Sequence, residues 1–296
     1  MDWSGPAWSL PPSRSSACST RPFQTTLDPR AALRWQAWKG GTLKGGTGLH
    51  HQAPQDQVLA FLDEPSGFQR TWASEVGIEQ DLWKQGSIDL TVFQRESTQR
   101  FVLHPNLEDP DTDPFFVAEG LGRARGLEVM LRKDPVGPLS GWVSYTLSRS
   151  ERLDDPSDPD NPWILFDFDQ THILTATGQW RLPHDVILSG RYQYVTGNPK
   201  TAYVGAVADL DAASWTGVLS GDENGERFAP YSSLDLRASK LWTFRSWQLD
   251  TFIDLLGVVQ GQNPTGEIQA YDFSEALLIE GLPLIPSIGF EATVRF

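Results

Sequence analysis

Apolar and polar side chains alternate with a period of two in segment after segment, and that pattern confines the chain to strands with two unlike faces. In the last segment Ile288, Phe290, Ala292, Val294 and Phe296 fall on one face, and Ser287, Glu291, Thr293 and Arg295 on the other. Leu234, Leu236 and Ala238 alternate with Asp235, Arg237 and Ser239; Val143, Tyr145 and Leu147 with Ser144, Thr146 and Ser148; Leu127, Val129 and Leu131 with Glu128 and Arg132. No stretch of similar length shows helical spacing. The pattern gives eleven strands, near 30–39, 42–50, 68–79, 87–96, 120–132, 141–150, 169–180, 186–196, 231–242, 247–259 and 287–296. Most have the ~9–11 residues that a tilted strand needs to cross a bilayer.

The connections sharpen this. In chain order they have 2, 17, 7, 23, 8, 18, 5, 34, 4 and 27 residues. Short and long alternate without exception, so an up-and-down meander places all tight turns on one rim and all long loops on the other. That asymmetry belongs to outer-membrane barrels, whereas a soluble β-sandwich has no reason to sort its loops by length. The expected fold is therefore all-β, an antiparallel up-and-down transmembrane β-barrel segment. Two alternatives stay open: a soluble β-rich carbohydrate-binding or carbohydrate-active module, which would be monomeric in plain buffer, and a small porin-like barrel, which would conduct ions.

Trp35, Trp38, Trp83, Trp142, Trp180, Trp242 and Trp247 lie at or near the short-turn ends, where an aromatic girdle meets the membrane interface. Arg125, Glu128, Arg132, Arg191, Gln193, Asp235, Arg237, Asp250 and Asp254 are expected to face a wet interior. The chain carries a formal charge of −14, which excludes a nucleic-acid partner that needs surplus cations. The five long loops hold 23 acidic and 4 basic side chains, a net −19, which leaves +5 elsewhere. The acidity belongs to one rim.

Chemistry-bearing motifs are sparse. Glu108 to Asp113 and Asp154 to Asp160 are acidic runs rich in turn residues, but neither has the glycine and bidentate glutamate of an EF-hand loop, so they read as solvated loops. His50 and His51 are neighbours on a strand and point to opposite faces, which rules out a shared metal there. The lone Cys18 permits neither a disulfide nor a multi-cysteine zinc site. No G-x-S-x-G, phosphate-loop or H-E-x-x-H pattern occurs. No catalytic residue, metal site or cofactor is expected, and no ligand-binding residue can be assigned. The first twenty residues lack the basic and apolar regions of a secretory signal.

Several stretches resemble the TonB-dependent outer-membrane receptors. Thr26-Leu27-Asp28-Pro29-Arg30 to Arg34-Trp35, and Gly46 to Pro54 with His50 and His51, look like the middle of that family's barrel. Phe166-Asp167-Phe168-Asp169-Gln170-Thr171-His172 and Leu234 to Lys240 are similar to its late strands, and Gly281 to Phe296 to its last loop and closing strand. The resemblance covers residues 26–296; residues 1–25 stand outside it and are expected to be a disordered lead-in. It implies about eleven strands of a 22-stranded barrel in the outer membrane, whose complete form imports a scarce ligand such as a metal chelate or an organic nutrient. It also implies lipid and the barrel-assembly machinery as partners, the latter reading the C-terminal strand through Ile288, Phe290, Val294 and Phe296. TonB would act only through a plug domain, and plug and first half of the barrel are expected to be missing here.

Overall fold

The computed structural model describes residues 25–54, 67–83, 85–103, 116–209, 214–260, 266–279 and 281–294. In chain order the strands are β1 (Arg30–Trp38), β2 (Gly41–Gln52), β3 (Gln69–Trp83), β4 (Gly86–Leu103), β5 (Phe116–Lys133) and β6 (Leu139–Leu153). There follow β7 (Ile164–Leu165), β8 (His172–Leu182), β9 (Val186–Val195), β10 (Pro199–Lys200), β11 (Tyr203–Asp209) and β12 (Ser214–Leu219). The last are β13 (Glu226–Arg227), β14 (Tyr231–Thr243), β15 (Trp247–Gln260), β16 (Gly266–Gln269), β17 (Ala276–Ile279) and β18 (Ile285–Val294). Among the described residues there is no α-helix, and one 3-10 turn, Pro183–Asp185.

The eleven long strands join one sheet in the order β1-β2-β3-β4-β5-β6-β8-β9-β14-β15-β18, with β7 added beside β6. Sheet order equals chain order, so the meander is up-and-down as its connections require. β1 and β18 stand at the two ends of this order. The short pairs β10-β13, β11-β12 and β16-β17 lie within the long connections. By internal packing the chain divides into two units, Met1–Gln80 with Leu90–Leu127 and Ser148–Phe166, and Asp81–Asp89 with Glu128–Leu147 and Asp167–Phe296.

Within the second unit the register separates the two faces cleanly. Leu139, Trp180, Leu188, Ala238, Ile253 and Ile288 form one row across six strands. One residue along, Ser140, Gln179, Ser189, Arg237, Asp254 and Ser287 form the next row on the opposite face. A slip of one residue would exchange the two rows, so burial of either face fixes the register. The first unit repeats the rule: Trp35, Leu43 and Ile78 share one row, and Gln36, Thr42 and Glu79 the next.

No globular core lies behind the apolar face. Val102 and Val195 are the buried apolar side chains among the described residues, whereas Ile288 is 83% exposed and Phe290 79%. An exposed apolar surface of such extent needs a non-aqueous neighbour. β3 to β6 also run longer than their alternation predicts: β4 and β5 have 18 residues each, about 60 Å at ~3.3 Å per residue. Even at a 45° tilt that exceeds a ~30 Å hydrocarbon core, so these strands continue past the apolar band, where water relaxes the alternation that marks a strand. Gln99, at φ 57°, breaks the regular backbone of β4 in this extension.

The aromatic girdle is realised with one exception. Trp35, Trp180, Trp242 and Trp247 lie in register with Leu43, Leu188, Leu249 and Val294 on the apolar face. Trp142 pairs with Thr177 and stands on the polar face instead, because it shares parity with Ser140 and Ser144. At the first turn Gly40 takes φ 74°, and Gly41 lies under the Trp38 ring so closely that a Cβ would overlap it. The Trp38 indole N–H donates to Gln80 Oε1 at 2.7 Å. Residues 1–24 and Phe296 lie outside the described residues.

Candidate functional site

The polar face carries the clefts. In the second unit a cleft of about 760 Å³ is lined by Arg132, Lys133, Trp142, Arg191, Asp235 and Arg237, among others. Strand pairing places these groups: Arg237 is opposite Asp254 on β15 and opposite Ser189 on β9. Its guanidinium approaches Asp254 at 3.4 Å and Asp250 at 3.9 Å and lies 3.7 Å from the centre of the Phe252 ring. Arg191, in register with Asp235, donates to Gln193 Oε1 at 3.3 Å. Asp235 accepts from Ser233 Oγ at 3.2 Å and from the backbone N–H of Gly257 at 3.0 Å. The arrangement is a wet wall of charges, mostly paired, with two cations of β5 at its short-turn end. No nucleophile with an adjacent base is assembled there.

The long connection after β9 is anchored by one buried ion pair. Asp169 is 1% exposed, and Arg227 donates to its Oδ2 at 2.5 Å, to its carbonyl at 2.8 Å, to Thr171 Oγ1 at 2.9 Å and to the carbonyl of Gly197 at 3.0 Å. Asn224 adds a hydrogen bond to Asp167 at 2.7 Å. The planar fork of arginine allows one residue to hold two backbone carbonyls and two side chains. Lys200 pairs with Glu267 at 3.0 Å, which ties this connection to the last one. Tyr203 packs on Phe273 with ring centres 4.7 Å apart, and Trp215 on Tyr271 at 6.3 Å. An aromatic rim over an acidic loop set results.

In the first unit, Arg30, His50, Glu75, Phe93 and Arg95 line a polar-face cleft of about 450 Å³. His50 and His51 diverge as adjacent strand residues must: His50 lines this cleft, while His51 Nδ1 contacts Asp28 Oδ1 at 2.5 Å, with both side chains largely buried. On the other face, Glu151 accepts from Arg123 Nε at 2.5 Å and from Arg149 Nε at 2.8 Å. Trp163 covers Arg123, its ring centre 4.1 Å from the guanidinium carbon.

These positions correct one expectation. Arg123 shares a face with Glu151, and Glu151 has the parity of Tyr145 and Leu147, which pair with Leu174 and His172. Arg125, two residues along β5, therefore faces outward with Leu127 and Val129 and does not face the wet interior. Parity alone contained this signal; its charge hid it, because β5 was expected to start at residue 120 rather than at Phe116.

The acidic run 108–113 lies outside the described residues. In the second run, Asp155 accepts from the Ser157 hydroxyl at 2.5 Å and its backbone N–H at 2.9 Å, which hold its carboxyl below the usual range. Asp158 accepts from the backbone N–H of Asp160. These are turn-forming bonds, and no group of three or more His, Cys, Asp or Glu among the described residues could hold a metal ion. On the C-terminal strand Ile288, Phe290 and Val294 are all exposed on the apolar face, opposite Ile253, Thr251 and Trp247.

Residues 11–254 match the family model described as TonB dependent receptor-like, beta-barrel. No curated protein sequence matches the chain. Among solved structures, the ferric-catecholate import receptor Fiu of E. coli K12 aligns with a TM-score of 0.61 at 14% identity, over 93% of this chain and 35% of that one. BauA, the ferric preacinetobactin receptor of Acinetobacter baumannii, aligns at 0.61 and 18% identity over 93% and 37%. The outer-membrane ferripyoverdine receptor of Pseudomonas aeruginosa aligns at 0.61 and 10% over 92% and 33%. At such identities the likeness is one of fold, and the chain spans about a third of each receptor.

Proposed function

Because this chain belongs to the family of TonB dependent receptor-like β-barrels, we propose that it forms part of the wall of an outer-membrane receptor whose complete form binds and imports a scarce ligand. The observation that carries this is the pair of neighbouring rows, Leu139 to Ile288 wholly apolar and Ser140 to Ser287 wholly polar, across six strands. One face suits lipid and the other suits a wet lumen, which is the division a spanning barrel requires. The barrel segment spans residues 26–296, with 1–25 ahead of it.

The named ligands of the three similar structures are iron chelates, and we extend that class to the complete form of this receptor. Its long acidic rim would concentrate cations at the outer mouth. Coupling to TonB belongs to a plug domain, to which none of the described residues corresponds. The exposed apolar side chains of β18, Ile288, Phe290 and Val294, together with Phe296, form the signal for the barrel-assembly machinery.

Membrane fractionation tests the first step. The chain, expressed with a secretory signal in a Gram-negative host, should sediment with the outer membrane, resist extraction by urea and show heat-modifiable mobility in gels. A chain recovered as a soluble monomer would sink the proposal. Ligand import is tested by iron-limited growth of a strain whose only receptor carries this segment in a complete barrel and plug.

A further inference from the structure

On the apolar face, β5 and β6 change character at the same side, towards the long loops. β5 passes from Leu131, Val129 and Leu127 to Arg125 and Arg123, and β6 from Val143, Tyr145 and Leu147 to Arg149 and Glu151. The arginines of the two strands meet through one carboxylate, since both Arg123 and Arg149 donate to Glu151. Glu151 is 4% exposed, while Arg123 and Arg149 remain 38% and 57% exposed. Arg125 is exposed and makes no ion pair among the described residues. Trp163 stacks on Arg123 and extends the patch with an amphipathic ring.

These positions belong to the loop-ward parts of strands that outrun the hydrocarbon core. Charges placed there on the lipid side of the wall have no ligand to meet from the lumen. They stand where the headgroups of the outer leaflet would lie, if the receptor reading above holds, on which this inference rests. Glu151 neutralises one guanidinium and fixes the orientation of two, through their Nε groups. The other carboxylates of this face nearby are Glu96 of β4, which accepts from the Gln94 amide at 2.7 Å, and Glu119, loop-ward of Arg123 on β5.

We infer that Arg123, Arg125 and Arg149, with Trp163, form an outward-facing site for a phosphorylated lipid of the outer leaflet. Guanidinium groups bind phosphate in a bidentate fashion, basic residues at a membrane surface recognise anionic headgroups, and an indole suits the interface. A lipid is the occupant, because the site continues the apolar face, on which the lipid's acyl chains would pack below the arginines.

The test uses the full chain refolded in detergent or in phosphatidylcholine vesicles, with deep-rough lipopolysaccharide as the probe and native mass spectrometry or flotation as the readout. The wild-type chain should bind the probe, and inorganic phosphate at equal phosphate concentration should displace it poorly. Arg125→Gln and Arg149→Gln should each weaken binding by about five-fold, the scale of one basic residue near an anionic surface. Arg125→Lys should restore part of that loss, and Arg191→Gln on the opposite face should change nothing. Equal binding by wild type and both glutamine variants overturns the inference, as does an equal loss in Arg191→Gln. Displacement by inorganic phosphate as effective as by lipopolysaccharide also overturns it, because the site then takes a free anion. Heat-modifiable mobility of each variant shows that it has folded. Insertion into plain phosphatidylcholine without preference for the probe refutes this site alone, whereas failure to insert at all refutes the membrane reading with it.

Discussion

Arg227→Ala should loosen the long connection between β9 and β14 while leaving the strand ladder in place. Arg227 makes four hydrogen bonds to Asp169, Thr171 and Gly197, and the Asp169 side chain is 0% exposed. Removing one partner of a buried pair leaves a charge in poor surroundings, at a cost of about 3–5 kcal/mol. Because the bonds join the segment at Asp169 to the one at Arg227, the cost should appear as local opening. At ~1.4 kcal/mol per factor of ten, amide exchange of Phe228, which donates to Asn198 O, should accelerate by roughly two to three and a half orders of magnitude. Hydrogen exchange of the chain in detergent, followed by mass spectrometry, reads this directly. Ladder amides such as that of Ser189 serve as the internal reference. Asp169→Ala combined with Arg227→Ala should be milder than Arg227→Ala alone, since no buried charge is left over. Less than a ten-fold acceleration in the single variant, or a double variant worse than either single one, would refute the assigned role of the pair.

Other substitutions probe the wall itself. Ile253→Arg on the apolar face should destabilise the chain in vesicles by about 2–4 kcal/mol if it lies near mid-membrane, whereas Ser189→Arg on the polar row should cost less than about 1 kcal/mol; urea titration distinguishes them. Gly289→Ala puts a Cβ 2.3 Å from the Phe252 ring, which packs on Arg237, so the same titration should show a loss of about 1–3 kcal/mol from overpacking. The turn at Asp155 should weaken with acid. Its carboxyl is held below the usual range by Ser157, so its contribution is complete above the ordinary aspartate pKa of 3.8 and is lost as pH falls through the lower folded value. Exchange at residues 154–163 should therefore stay flat from neutral pH to about pH 5 after correction for intrinsic rates, and rise below it. In Ser157→Ala that rise should begin at higher pH.

The eleven strands and their order were legible because a period of two is written locally: Leu234 to Ser239 carry both faces within six residues. The alternation of short and long connections added the up-and-down order, and parity sufficed to place Arg237, Asp254 and Arg191 on one wall. Where the reading failed, charge or ring type was given more weight than parity. Arg125 was sent to the lumen because it is charged, although Leu127 and Val129 share its face. Trp142 was sent to the girdle because it is an indole, although Ser140 and Ser144 share its face.

Sequence by itself thus determined a two-faced, up-and-down β wall with an acidic long-loop rim, since each of these properties depends on residues close in the chain. Tertiary structure alone decided the contacts between residues far apart. Asp169 and Arg227 are 58 residues apart, Arg123 and Glu151 28, and Lys200 and Glu267 67. The stretch from Phe166 to His172 was singled out, but nothing in it names Arg227 as the partner of Asp169. Such pairs depend on where each strand outruns the bilayer and on how the connections fold back over its end. Those are set by registers between strands, which no local period encodes.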